Sequence, residues 1–147
     1  MKTIPNESFF LRIEEEIAEG HSVRFRLKGC SMFPLLREGH DEVVLYPCTE
    51  TELRALDVVL FRYNGRHMLH RIIRREGERL YLRGDGSFVA REQCDVGDVV
   101  GKMRRVVRSS GREVSVTDWR WRVPSLLWSR AGIFRNPLLR ILRRIAR

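Results

Sequence analysis

Ser31 stands in the run Lys28-Gly29-Cys30-Ser31-Met32-Phe33-Pro34, and Gly39, His40 and Asp41 follow before the next apolar run. Glycine and proline around a serine bend the chain, and a serine at a bend can turn its hydroxyl and its backbone N–H toward a cleft. A serine hydroxyl is a poor nucleophile until a base within hydrogen-bond reach takes its proton. Histidine, whose ordinary proton affinity lies near neutrality, suits that task. Of His21, His40, His67 and His70, the first three fall in loop or solvent-facing contexts, and their spacing suggests no metal. His70 lies inside an apolar run. On residue types alone, Ser31 with His70 is one of several pairings the chain could make. A mechanism that needs a lysine has few candidates, because Lys2, Lys28 and Lys102 are the only lysines among 28 basic residues. Cys30 could in principle serve as a thiol nucleophile, but neighbouring side chains point different ways.

The elements that must position these residues follow from hydrophobic periodicity. Phe10, Ile13 and Ile17 recur at helical spacing over residues 7–19, with Glu14, Glu15 and Glu16 on the other side and Gly20 ending the pattern. From Ser22 the pattern changes to short strand-like runs at 22–28, 42–46, 57–63, 66–74, 79–83 and 98–107, with a further candidate at 113–117. The body is predicted to be mainly β. Asn64-Gly65, between two of these runs, has the residues that a two-residue type I′ hairpin demands. That turn pairs Tyr63 with Arg66, Phe61 with Met68 and Val59 with His70. Strand alternation then places Val59, Phe61, Met68, His70 and Ile72 on one face, so His70 is set in apolar company.

Charge divides the chain. The net charge is +9, yet residues 1–118 hold 20 basic residues against all 19 acidic ones, and eight arginines follow Asp118. The near-neutral body argues against a nucleic-acid-binding body and leaves the basic tail as the feature to explain. The tail also carries Trp119, Trp121, Trp128 and Phe134, with Pro124 and Pro137 each placed to open a helix. In its last segment Leu138, Ile141, Leu142 and Ile145 form one stripe and Arg140, Arg143, Arg144 and Arg147 the opposite one, which predicts a basic amphipathic helix. Cys30, Cys48 and Cys94 are odd in number and lack the spacing of a zinc site or a redox pair, so free thiols and a reducing compartment are expected. No segment has the form of a signal peptide or the roughly 18 apolar residues of a membrane span. The expected location is cytoplasmic, with a peripheral membrane association open to it.

Gly29-Cys30-Ser31-Met32-Phe33-Pro34 resembles the Gly-x-Ser-Met-x-Pro box around the nucleophile of signal peptidase I and LexA-like peptidases. Further boxes follow in the same order. Ala55-Leu56-Asp57-Val58-Val59-Leu60-Phe61 resembles the family's Gly-Asp-hydrophobic strand, with Leu56 for the glycine. Met68-Leu69-His70-Arg71-Ile72-Ile73 resembles the segment bearing the general base, Gly84-Asp85-Gly86-Ser87 the Gly-Asp-Asn box, and Asp98-Val99-Val100-Gly101-Lys102 the closing strand. The resemblance covers roughly residues 22–107. His70-Arg71 matches the branch with a histidine base, that of endoplasmic-reticulum and sporulation-type signal peptidases, and neither Lys28 nor Lys102 falls at the base position.

The resemblance implies the superfamily's coiled β half-barrel over 22–118, after an N-terminal helix within 1–21 and before a Trp/Arg-rich tail over 119–147. It implies acyl transfer by Ser31 and His70, with no cofactor and no metal, on an extended peptide or preprotein. A carboxylate that orients the histidine is expected after the Gly-Asp-Asn box, but Arg91 stands where it would align. Asp85, Glu92 or Asp95 must substitute, or the enzyme works as a simple dyad; Asp85 is the expected substitute and Asp95 the second choice. The oxyanion hole would rest on backbone N–H groups of the Gly29, Cys30 and Ser31 turn, and Met32, Pro34 and Arg71 are the expected lining of the cleft. Residues 136–147 are expected to lie on an anionic membrane surface. The rival readings are a silent peptide-binding module of the same fold and a protein that binds nucleic acid through its arginine tail.

Overall fold

Asn64 and Gly65 take the positive φ values, 49° and 75°, that a tight hairpin turn needs. The two strands it joins, β3 (Val58–Tyr63) and β4 (Arg66–Glu76), pair in the expected register, with Val59 opposite His70 and Phe61 opposite Met68. They form the centre of the fold. The computed structural model describes residues 6–29, 31–87 and 91–146. Around the hairpin lie β1 (Val23–Arg26), β2 (Glu42–Tyr46), β5 (Arg79–Arg83), β6 (Glu92–Asp95), β7 (Val99–Val107) and β8 (Glu113–Ser115). All pair antiparallel in one sheet of order β1-β2-β7-β3-β4-β5-β6, and β8 adds to β7. The long β7 gives its first residues to β3 and its last to β8, while β2 runs along its other side.

At β3 the sheet is buried on both faces, because that strand alternates between two apolar clusters. Val58 and Leu60 face one with Ile13, Ile17, Met32, Leu36, Met103 and Trp121; Val59 and Phe61 face the other with Ile72, Leu80, Leu82 and Cys94. Helix α1 (Asn6–Ala18) covers the first cluster through Ile13 and Ile17, and ends where Gly20, at φ 89°, donates to the Ile17 carbonyl at 3.0 Å. The tail forms α2 (Trp119–Ser129) and α3 (Arg135–Ala146). Asp118 caps α2 by accepting from the Arg120 N–H at 2.8 Å, and Trp121 and Trp128 are buried.

Three expectations are corrected. Strand β6, over residues 92–95, was not foreseen, because four residues of Glu-Gln-Cys-Asp carry little strand signal. Pro124 lies inside α2 instead of opening it, whereas Pro137 lies in the first turn of α3. His67 is not solvent-facing: its side chain is 5% exposed, stacked on Phe10 at 5.3 Å between α1 and β4.

Candidate active site

His70 projects from β4 on the same face as Val59, Phe61 and Ile72, and it is buried. Two strands away, Glu92 on β6 projects to the same side, because β6 alternates buried Glu92 and Cys94 with exposed Gln93 and Asp95. Across the sheet Ile72 lies opposite Leu82 and Leu82 opposite Glu92. Beyond the Arg71–Arg83 pair, Gly84 falls at the level of His70. With no side chain there, the ring and the carboxylate can meet, and His70 Nδ1 is hydrogen-bonded to Glu92 Oε1. Both groups are buried.

The other ring nitrogen and the serine turn approach one point over Gly84. A Cβ on Gly84 would lie 2.9 Å from His70 Nε2, 2.5 Å from the Ser31 carbonyl oxygen and 2.8 Å from Ser87 Oγ. Gly84 has no positive φ, so glycine is needed here for the space alone. The Ser31 turn is pinned from both sides. Met32 and Leu36 sink into the core and the Leu36 N–H donates to the Met32 carbonyl at 3.0 Å, while the Ser31 carbonyl accepts from the Gly86 N–H at 2.8 Å. Ser31 itself stays exposed. A histidine whose far nitrogen is held by a buried carboxylate and whose near nitrogen approaches the same point as an exposed serine turn can accept and return a hydroxyl proton. Gly29 holds φ 81° in the approach to the turn; Cys30 lies outside the described residues.

No protein-family model matches this chain, and no curated protein is significantly similar to it in sequence. The site therefore rests on its own geometry.

That geometry relocates several expected residues. Asp85 does not touch His70. Its carboxylate takes a bidentate pair from Arg71, Nε to Oδ1 at 2.9 Å and Nη2 to Oδ2 at 2.8 Å, and both residues are buried. Asp95 is exposed, with its nearest cation Arg79 at 3.9 Å. The carboxylate on the histidine is Glu92. Arg71 is committed to Asp85 and to the Leu56 carbonyl, and Met32 is in the core, so neither lines a cleft. Pro34 is half-buried and borders a cavity of about 390 Å³ with Arg37, His40, Arg108 and Trp121. Lys28 is exposed, and the Lys102 ammonium is paired with Asp57 Oδ2 at 3.1 Å. The two described thiols are poor nucleophiles: burial pushes Cys48 up, and burial with Asp98 and Asp95 nearby pushes Cys94 up to about 12.

The tail reaches the same loop. Trp128 Nε1 donates to the Asp85 carbonyl at 2.9 Å, Arg135 Nη2 to the carbonyls of Gly84 at 2.7 Å and Asp85 at 2.9 Å, and Arg143 Nη2 to that of Gly86 at 2.6 Å. Burial, together with Arg83, lowers Arg135 to about 10 despite the opposing pull of Asp85. Sequence reasoning had no signal for this clamp, because its acceptors are backbone carbonyls. Ser87, whose hydroxyl shares the space over Gly84, was likewise read only as part of a box.

Proposed function

We propose that this chain is a serine endopeptidase of the signal peptidase I and LexA-like superfamily, in the branch with a histidine base, and that its sheet is the coiled half-barrel of that superfamily. Ser31 Oγ attacks the carbonyl carbon of a peptide bond while His70 Nε2 takes the hydroxyl proton. As the C–N bond breaks, the imidazolium returns that proton to the leaving amine, and an ester on Ser31 remains. Water, giving its proton to His70, then attacks the ester and releases the carboxylate product with Ser31 restored. Glu92 keeps the Nδ1 tautomer that leaves Nε2 able to accept a proton, and it stabilises the imidazolium. Backbone N–H groups of the serine turn, that of Ser31 included, face the developing oxyanion.

The observation that carries the reading is the approach of His70 Nε2 and the Ser31 turn to the same bare position at Gly84, with a buried carboxylate on the other ring nitrogen. Two further features support it. Leu56, which replaces a glycine in the resembling box, keeps φ at 80°, a conformation that favours glycine. The strand leading into the serine turn, β1, is the first in the sheet order, with β2 as its one neighbour among the described residues. A free edge of that kind can add an extended peptide as a further strand.

A fluorophosphonate probe followed by mass mapping tests the proposal. Labelling is expected on Ser31, lost in His70→Ala and retained in Lys28→Ala and Lys102→Ala. A label on Ser87 would move the nucleophile to that residue. An unlabelled protein that retains an intact peptide would be a silent binding module.

A further inference from the structure

The tail helices leave a set of large apolar side chains open to solvent and turn two arginines inward. On α3 the residues turned inward are Leu139 and the guanidiniums of Arg135 and Arg143, while Leu138, Ile141 and Ile145 stand open, Ile145 at 75% exposure. On α2, Trp121, Ser125 and Trp128 are buried, while Trp119, Val123 and Leu127 stand open at i, i+4 and i+8, two of them at 67%. Among the described residues, the large apolar side chains most exposed to solvent are Leu11 and a set confined to this tail. Arg120, Arg122, Arg140 and Arg144 on the same two helices and Arg130 at the C-terminal cap of α2 are exposed, and no acidic residue follows Asp118.

We infer that the open faces of α2 and α3 form a docking surface for an anionic lipid bilayer, on which the apolar side chains enter the acyl boundary and the arginines meet the headgroups. A single helix over residues 136–147 is thus too small a description of the surface. Exposed apolar rows flanked by arginine have the composition of an interfacial element, and a segment with arginines and no acidic residue matches an anionic leaflet. Nucleic acid would use the arginines and leave the apolar rows without a partner. A second copy would set two acid-free cationic faces against each other, which is repulsive. The clamp on the 84–86 carbonyls fixes this surface to the loop that holds Ser31. The Ser31 turn therefore keeps a constant relation to the bilayer.

The test is co-sedimentation of the full chain with vesicles of phosphatidylcholine, with and without phosphatidylglycerol. The parent and Ser31→Ala should bind the anionic vesicles equally, which separates docking from catalysis. Binding should weaken as salt is added. Ile141→Ser with Ile145→Ser, both at open positions, should lower affinity about tenfold or more through lost apolar burial, at unchanged melting temperature. Arg122→Gln with Arg144→Gln should lower binding to anionic vesicles and leave the weak binding to neutral ones in place. The inference is overturned if the parent ignores anionic vesicles or if the serine variants bind as the parent does. It is equally overturned if the chain is a dimer that those variants make monomeric without any lipid binding.

Discussion

Glu92 and Asp85 are both buried carboxylates, and their partners give them different work. Glu92 holds an imidazole that gains charge during proton transfer, whereas Asp85 neutralises a permanent cation, Arg71, in the interior. Glu92→Ala should leave the protein folded and lower kcat by about 10²–10⁴-fold, because the tautomer and the imidazolium lose their support. Asp85→Ala should instead destabilise by about 3–5 kcal/mol, since it strands a buried guanidinium. Thermal melts and single-turnover kinetics taken well below the melting temperature distinguish the two. If Asp85→Ala slows the reaction more than Glu92→Ala, the orienting carboxylate is Asp85. The sequence favoured Asp85 because it sits inside the Gly-Asp box, at a visible distance from His70. Glu92 was one of three carboxylates the sequence offered, and it is singled out only once β6 is laid beside β5, since the alternation that turns Glu92 and Cys94 inward spans just four residues.

At the scale of elements, Gly86 links the tail to the serine turn: its N–H donates to the Ser31 carbonyl and its own carbonyl accepts from Arg143. Arg143 is therefore a positioning residue, acting through one peptide unit on the turn that carries the nucleophile. Arg143→Ala should lower kcat roughly tenfold with KM little changed, as a misplaced nucleophile is felt mostly in the chemical step. Arg143→Lys should recover part of the loss. An unchanged kcat with a lowered melting temperature would reduce the contact to a structural one. The central hairpin was legible in full, because Asn64-Gly65 fixes the turn and the turn fixes the register that carries His70. The inward arginines of α3 were not, because periodicity separates apolar from charged faces without saying which face the protein covers. Pro124 was misplaced for a related reason, since a proline at a helix start and one within a helix look alike in sequence.

For the molecule as a whole, the sheet has two cores, and the element that closes the first at the N-terminal end is α1. Its attachment to the hairpin is partly ionic. Glu14 is hydrogen-bonded to Arg62 on β3 and lies 3.0 Å from His67 Nε2 on β4, and Glu7 approaches His67 Nδ1 at 3.6 Å. Burial acts to raise the Glu14 carboxyl, but Arg62 and His67 outweigh it and hold it below its ordinary value of 4.5. A carboxylate whose proton affinity is lower in the folded chain than in the unfolded one stabilises the fold above the unfolded value, and that contribution is lost as pH falls through the folded value. Glu42, held down chiefly by Arg24, and Glu52, held down chiefly by the Thr49 N–H, act in the same direction from half-exposed positions, where solvent screens them. The urea midpoint should therefore fall as the pH is taken from 6 to below about 4.5. Glu14→Gln should lower the midpoint at pH 6 and narrow the difference between the two pH values. Because Glu14 reaches the sheet from α1, the first amides to lose hydrogen-exchange protection in acid should be those of residues 6–18, ahead of β3 and β4. Equal pH dependence in the parent and Glu14→Gln, or loss of protection beginning in the central hairpin, would show that α1 is held by Ile13 and Ile17 alone.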